Sequence, residues 1–430
     1  MSAAAFNKFL SNLAVSNRQD ISTSYEGITT RLNTDFWNSS SDTLHSLQVG
    51  SFGRRSAIHG ISDLDMVFEM PPGDLARYEA RSGNGPSQML ADVRASLQKR
   101  YTRTTIRGDG PVVVVDFEKY VVEVLPAFLQ NDRSYIYGST RNGGSWERTN
   151  PRIEMEAFNT YDTAWNGNAR ALAKMMRAWK NNMGAPMGGY LIDTLVVQFF
   201  LTHVAQQNAS AADYPNLLVT LFAWLSGLDN DGTWPAPGSG DPVKAKGQFT
   251  GRARKALRRC QQANDATDLV EKTKKWRSVF GRSFPVMSRM ILQETVLPDL
   301  TSPGEEFIED KFPVDIRYRA KLDYEVMQNN VMQWRFMQLA RRDRRLPFGY
   351  RLRFFLRECN VPEPYNVRWK VKNRGHAARG KERGGLEVDG GNREKYENTN
   401  FEGDHYVEIY LIKNGVCVAR DRAEVPIVVA

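Results

Sequence analysis

Two aspartates stand at the mouth of an apolar run, Asp63-Leu64-Asp65-Met66-Val67-Phe68. On a strand, residues two apart project from one face, so both carboxylates share a face while Leu64 points into a core. Carboxylates held that close repel one another unless a cation lies between them, and burying them unpaired is costly. The chain must therefore build a sheet with one face covered and the other carrying a charged site. Paired hard oxygen ligands suit Mg²⁺, which also takes oxygens from a triphosphate. Asp63 lies twelve residues beyond Ser51, and Gly50-Ser51 follows the short segment Leu47-Gln48-Val49 as a turn into a short helix. A glycine there lets backbone N–H groups approach an anion, and the serine adds a hydroxyl donor. An anion cradle, a spacer and a metal-binding pair together point to transfer of a nucleotidyl group.

The same segment carries a family resemblance. Gly50-Ser51-Phe52-Gly53-Arg54-Arg55-Ser56-Ala57-Ile58, followed by Ile61-Ser62-Asp63-Leu64-Asp65, resembles the bacterial cGAS/DncV-like nucleotidyltransferases, the second-messenger oligonucleotide synthetases of antiphage signalling. The resemblance implies an α+β fold, with a polymerase-beta-like nucleotidyltransferase core, a helical second lobe and a mainly β C-terminal domain. It further implies a template-independent nucleotidyltransferase that makes a cyclic di- or trinucleotide from NTPs, ATP among them, for a separate effector. Two Mg²⁺ ions, with Mn²⁺ as a substitute, would serve the reaction. Ser51 and the backbone from Gly50 would grip phosphates; Arg54 and Ser56 match the motif either as ligands or as stabilisers of the loop. A linear oligonucleotide or RNA-end nucleotidyltransferase, or a non-catalytic nucleotide-binding sensor, are the rival readings.

Further along, Ile21, Tyr25, Ile28, Leu32 and Phe36 recur every three or four residues, which predicts an amphipathic helix within 17–40 behind the sheet. A helix is expected over 87–101. A valine-rich hairpin follows, Pro111–Phe117 and Val121–Pro126, and belongs in a buried sheet. By resemblance it supplies the third metal ligand. Val122-Glu123-Val124-Leu125-Pro126-Ala127-Phe128 matches the relatives' strand, so Glu123 is preferred over Asp116; many relatives carry Asp there. Trp146–Pro151 resembles the family's Trp…Asn/Asp-Pro loop, which implies a place at the cleft mouth. Residues 168–182 form a basic helix containing Lys174 and Arg177, where relatives use a basic residue, usually Lys, on the donor triphosphate. Arg177 takes that role by pattern, with Lys174 a lesser candidate. Tyr190, at the start of the next helix, takes the base-stacking role. Residues 228–250 read as a long polar loop.

Composition shifts after this point. The expected division is 1–290 for the synthetase core with its helical lobe, 291–304 for a linker, and 305–430 for a β-rich domain resembling the C-terminal sensor fused to adenylyl/guanylyl cyclases and synthetases. The matching runs are Pro364-Tyr365, Trp369–Gly375 and Gly403–Glu408. Asn414-Gly415 predicts a two-residue hairpin turn. Arg341, Arg342, Arg344, Arg345, Arg351, Arg353 and Arg357 are a candidate basic surface for an anionic sensor ligand, and Arg379, Lys381 and Arg383 a solvated loop.

The formal net charge of +9 favours a polyanionic ligand such as a nucleoside triphosphate, though the surplus is spread out. Cys260, Cys359 and Cys417 lie far apart without metal spacing, which argues against zinc and for a reduced cytoplasm. No apolar run reaches membrane-spanning length and no secretory h-region opens the sequence, so no membrane partner is expected.

Overall fold

The structure is a computed structural model and describes residues 3–60, 63–81, 83–286, 305–328, 331–335, 346–378, 380 and 383–427. It separates into two compact units, Met1–Asp42 with Gln48–Asp299, and Thr43–Leu47 with Leu300–Ala430. The fold is α+β. No helix among the described residues is long and apolar enough to cross a membrane.

The chain opens with α1 (Ala3–Asn12), α2 (Arg18–Phe36), β1 (Ser46–Gln48), the four-residue α3 (Gly50–Gly53) and β2 (Asp63–Glu69). Then come α4 (Asp74–Glu79), α5 (Gly85–Arg100), β3 (Thr105–Asp109), β4 (Val112–Phe117), β5 (Tyr120–Leu129), β6 (Tyr135–Ser139) and β7 (Ser145–Thr149). The strands form one seven-stranded sheet, ordered β1-β2-β5-β4-β3, with β6 on the far end of β5 and β7 on β6. β2 and β5 run parallel, a pairing that needs a crossover, and α5 lies between them in sequence. One sheet face is apolar. Leu64, Met66 and Phe68 of β2, Val113 and Val115 of β4, and Val122 and Val124 of β5 all lie in one core with α2 and α5. The predicted stripe on α2 is that core's other wall: Ile21, Tyr25, Ile28 and Leu32 are buried, and Phe36 meets Phe68 at 6.1 Å. Asn84 caps α5 by accepting from the Ser87 amide at 2.9 Å, with Pro86 in the first turn.

The segment expected as a cleft-mouth loop is strand β7. It pairs antiparallel with β6, and Trp146 packs on Phe128 at 5.9 Å, so sheet pairing wins over the polar composition. Asn150 then caps α6 (Pro151–Ala164), accepting from the Ile153 amide at 3.3 Å. After α6 come α7 (Asn168–Met183), α8 (Gly189–Thr202), α9 (Tyr214–Ser226), β8 (Thr233–Pro235), β9 (Pro242–Lys244), α10 (Thr250–Asp265) and α11 (Leu269–Phe280). These helices share a second core with α1, built around Trp179, Trp276, Phe6 and Phe222. The long polar stretch after α9 is not wholly loop, since β8 and β9 form a small hairpin within it.

The second unit holds two four-stranded antiparallel sheets. In one, β11 (Val331–Arg335), β10 (Ala320–Gln328), β12 (Arg351–Cys359) and β15 (Glu394–Asn398) run in that order. The other has β14 (Leu386–Val388), β13 (Asn366–Lys372), β16 (Gly403–Lys413) and β17 (Val416–Ile427). Alternate residues of both sheets, among them Tyr324, Phe354, Trp369, Ile409 and Leu411, make one core. Asn414 and Gly415 turn β16 into β17 with φ of 51° and 75°, the two positive values a tight hairpin of this kind needs.

Candidate active site

Register sets the site. In the parallel β2–β5 pair, Asp65 stands opposite Glu123 and Asp63 opposite Val121. Neighbouring strands lie about 4.8 Å apart, so Asp65 and Glu123 are lateral neighbours on the polar face, with Asp63 one pleat along. Leu64, Val122 and Val124, the intervening residues, are fully buried on the other face. The antiparallel pairing of β4 with β5 places Asp116 opposite Val121 and Val114 opposite Glu123. Asp116 therefore shares the polar face. It is nevertheless exposed, and it stands two strands from β2, about 10 Å away. Of the two hairpin carboxylates, Glu123 is the one beside the aspartate pair.

Backbone contacts pin this edge. The Asp65 carbonyl accepts from the Val49 amide at 3.0 Å and from the Tyr25 hydroxyl at 2.7 Å. Tyr25 also stacks on Phe52 at 6.3 Å, tying α2, α3 and β2 together. The turn before α3 lies directly over Asp65. A Cβ built on Gly50 would fall 1.8 Å from Asp65 Oδ2, and Gly50 has φ of 61°. Only glycine fits, for reasons of space and of backbone conformation together. The amides of Gly53 and Arg54 close the helical turn onto the carbonyls of Val49 and Gly50. At such a helix start the preceding amides, here Gly50 to Phe52, lie outside the turn's own hydrogen bonds. The Ser51 carbonyl accepts from the amides of Ser56 and Ala57 at 2.9 and 3.1 Å, which folds the following loop back on the turn.

The electrostatics are those of a site short of positive charge. Burial, and then the Asp63 carboxylate, push Asp65 above the usual carboxylate range, with Arg54 opposing. Burial, then Asp65, Asp63 and Asp109, push Glu123 upward, with Arg107 opposing. Among the described residues, no three His, Cys, Asp or Glu side chains are gathered closely enough to hold a metal ion as they stand. The donor set still suits a hard cation. It consists of carboxylates that share one face, where Asp63 raises the proton affinity of Asp65 and both raise that of Glu123, which a divalent ion would relieve.

Three of the remaining predicted residues gather on a second carboxylate, Asp193. Arg177 is buried in α7, and its guanidinium donates to both Asp193 oxygens, at 2.7 and 2.8 Å, and to the Gly189 carbonyl at 3.0 Å. Arg54 Nε donates to Asp193 at 2.7 Å and Ser56 Oγ at 3.2 Å. Arg54, Ser56 and Arg177 thus converge on one buried carboxylate, which joins the loop after α3 to α7 and α8. The expectation of Arg177 as a triphosphate ligand meets a guanidinium already occupied by a fixed anion. Lys174 is half-buried, one turn before Arg177 on the same helix. Tyr190 is half-buried, with the Arg54 guanidinium 4.8 Å over its ring. Burial and Glu154 raise its hydroxyl well above the ordinary phenol.

Two carboxylates went without a role in the sequence. Asp193, the hub, sits in Leu191-Ile192-Asp193-Thr194-Leu195-Val196, and a lone charge in so apolar a helix is itself the signal that a buried cation awaits it. Glu69 continues the polar face of β2, but Tyr135 and Arg152 donate to it at 2.5 and 2.9 Å and take it out of the site. Nothing in the sequence separates Glu69 from Asp65.

Residues 1–161 match the Second Messenger Oligonucleotide or Dinucleotide Synthetase (SMODS) domain family, and residues 302–428 the Adenylyl/Guanylyl and SMODS C-terminal sensor (AGS_C) domain family. The chain carries a SMODS domain followed by an AGS_C domain. This is the pairing that the Gly-Ser and Asp-x-Asp motifs and the C-terminal strands resemble. The SMODS match spans the whole of the Gly50–Glu123 site. A probable cyclic nucleotide synthase of Bacillus cereus is 21% identical over 179 residues, covering 35% of this chain and 54% of that protein. The chain thus matches about half the length of this curated relative. Among solved structures, the Vibrio cholerae DncV cyclic AMP-GMP synthase in complex with the linear intermediate 5′ pppA(3′,5′)pG is 18% identical. That match covers 56% of this chain and 69% of the other, with a TM-score of 0.46. Escherichia coli CdnC with ATP is 15% identical, over 66% of this chain and 99% of that one, with a TM-score of 0.46.

In the AGS_C domain, Arg341 to Arg345 lie outside the described residues, as do Arg379 and Lys381. The other arginines expected to form a basic surface are on β12, where carboxylates offset two of them. Arg353 pairs with Glu325 and Glu394, and Arg357 with Glu358 and Asp323. Arg351 lies over the Tyr396 ring at 4.5 Å.

Proposed function

We propose that the first unit is a template-independent nucleotidyltransferase that joins NTPs, ATP among them, into a cyclic di- or trinucleotide. The observation that carries this reading is the alignment of Asp65 with Glu123 in parallel register, under a turn that only Gly50 can make. Asp63, Asp65 and Glu123 would hold two Mg²⁺ ions. Bound there, the ions supply charge neutralisation at the departing pyrophosphate and acidify the attacking ribose hydroxyl. The residues of the chain do the rest. Gly50, Ser51 and the α3 turn receive the β- and γ-phosphates on backbone amides and one hydroxyl. Tyr190, backed by Arg54, offers a ring face to a base. Arg54, Ser56 and Arg177 act through Asp193 as positioning residues, holding the phosphate turn against α7 and α8.

The product is a second messenger for a separate effector in cytoplasmic antiphage (CBASS) signalling, and residues 305–430 form the sensing unit that adjusts its synthesis. The test is incubation of the protein with each labelled NTP and Mg²⁺ or Mn²⁺, followed by phosphatase treatment. A phosphatase-resistant oligonucleotide is expected. A product that loses a terminal triphosphate to phosphatase, and so changes its mobility, would make the chain a linear polymerase, and no product with any NTP combination would remove the enzymatic reading.

A further inference from the structure

The two sheets of the second unit leave a cavity of about 400 Å³ between them, inside the size range of small-molecule sites. Its floor is apolar. Leu352 and Phe354 of β12 meet Val371 of β13, Val407 of β16, and Val425 and Ile427 of β17. Its rim is polar without being charged overall. Arg383 is the cationic residue of the lining, and it donates to Glu397, also in the lining, at 2.6 Å and to Glu387 at 2.8 Å. The pair cancels within the cavity wall. What remains are carboxamides, including Asn398 and Asn400 at the exposed lip, and the rings of Phe401, His405 and Tyr406.

The aromatic wall is built to keep its shape. His405 is 5% exposed. Its Nδ1 accepts from the Arg374 amide at 3.0 Å, and Nε2 faces the Phe401 carbonyl at 3.0 Å. An amide can only donate and a carbonyl only accept, so the ring is held as the neutral Nε2–H tautomer. Phe401 packs against it edge-on, with centroids 5.1 Å apart. A Cβ on Gly403 would fall 2.0 Å from the Arg374 carbonyl oxygen and 2.7 Å from His405 Cε1, so the wall depends on a glycine at that point.

We infer that this cavity is a binding site for an uncharged planar heterocycle of the nucleobase or nucleoside class. Flat apolar and aromatic surfaces match the faces of such a ring. Carboxamides at the lip present a donor beside an acceptor, the pattern of a base edge. Charge decides against phosphorylated ligands. A phosphate entering here would lose its hydration and find the lining's own guanidinium, Arg383, already satisfied by two carboxylates, while the Arg374 and Arg422 guanidiniums are stacked over the Tyr406 ring. The inference is separate from the proposed chemistry of the first unit and stands or falls without it.

The experiment is equilibrium dialysis of the full chain with labelled adenosine, guanosine, cytidine and uridine, repeated in competition with the corresponding 5′-triphosphates. Parent protein, Asn398→Leu, Asn400→Leu and the Asp63→Asn/Asp65→Asn double variant are compared. At least one nucleoside should bind parent and double variant alike. Each lip substitution should weaken it by about 5- to 100-fold, the range for losing one paired base-edge contact. The melting temperature without ligand should not change, since both asparagines are exposed. The triphosphate of the same nucleoside should not displace it. Absence of binding by all four nucleosides, binding indifferent to both lip substitutions, or equal displacement by the triphosphate would each overturn the inference.

Discussion

Two charged clusters in the first unit obey opposite rules. Asp193 is completely buried. Burial alone would push it up, yet Arg177 and Arg54 outweigh that and hold it below the usual carboxylate range. Asp65 and Glu123 are only partly buried and go the other way, upward, because burial raises them and the charges nearest them, mostly negative, add to it. The first cluster has its cations built in; the second lacks them, and in the proposed reading a divalent ion supplies the missing charge. Depth of burial does not tell a structural carboxylate from a reactive one. The supply of counter-charge does.

The largest expected effect comes from emptying the second cluster. Asp63→Asn with Asp65→Asn should lower synthesis from labelled NTPs by about 10³-fold or more, as expected when the main electrostatic stabilisation is lost. The fold should survive, which circular dichroism and a cooperative melt would verify. Residual product near the parental level would erase the distinction between the clusters.

Within the second cluster, register separates the two hairpin carboxylates. Glu123→Gln should cost about 10²- to 10³-fold in rate, while Asp116→Asn should stay within about threefold. A reversal would mean that β4, not β5, supplies the third ligand.

Breaking the first cluster should read out as stability. Asp193→Ala leaves two buried guanidiniums without their anion and should cost about 3–5 kcal/mol in urea unfolding. Arg177→Lys keeps a charge but loses the two-pronged pairing, and should cost about 1–2 kcal/mol. If Arg177 only positions, its variant should lose activity in proportion to folded fraction, with KM for NTP unchanged. A large rise in KM at full folding would restore it as a triphosphate ligand.

The smallest effect is the pH dependence, and its sign differs between clusters. Asp193 has a lowered folded pKa, so its stabilisation is present above the unfolded value near about 3.9 and is lost as pH falls below it. Asp65 and Glu123 have raised folded pKa values, so the folded state binds more protons than the unfolded one just above about 4, and stability falls as pH rises through that window. In EDTA, the double Asn variant should therefore match or slightly exceed the parent at pH 7, by about a degree or two. The gap should narrow toward pH 5. Differential scanning calorimetry at the two pH values would detect it, and a gap that widens on acidification would contradict the sign.

The sequence alone was enough to place Asp63, Asp65 and Glu123 on strands, because alternation around a charge in an apolar run leaves one geometry open. It was also enough for the α2 stripe, the valine hairpin and the Asn414-Gly415 turn, all governed by contacts within a few residues. β7 was misread as a loop because Trp146–Thr149 is polar and gains its strand from pairing with β6. Only the tertiary structure could decide that Glu123 rather than Asp116 neighbours Asp65, since both alternate onto the same face and strand order is not written in either strand. The same holds for Arg177, Arg54 and Ser56. Arg177 lies more than a hundred residues from the other two, and that all three meet at Asp193 appears only once α7 and α8 are packed together. Periodicity determines which face a residue takes; the partner across that face is set by the packing of distant segments, where charge and space must be satisfied together.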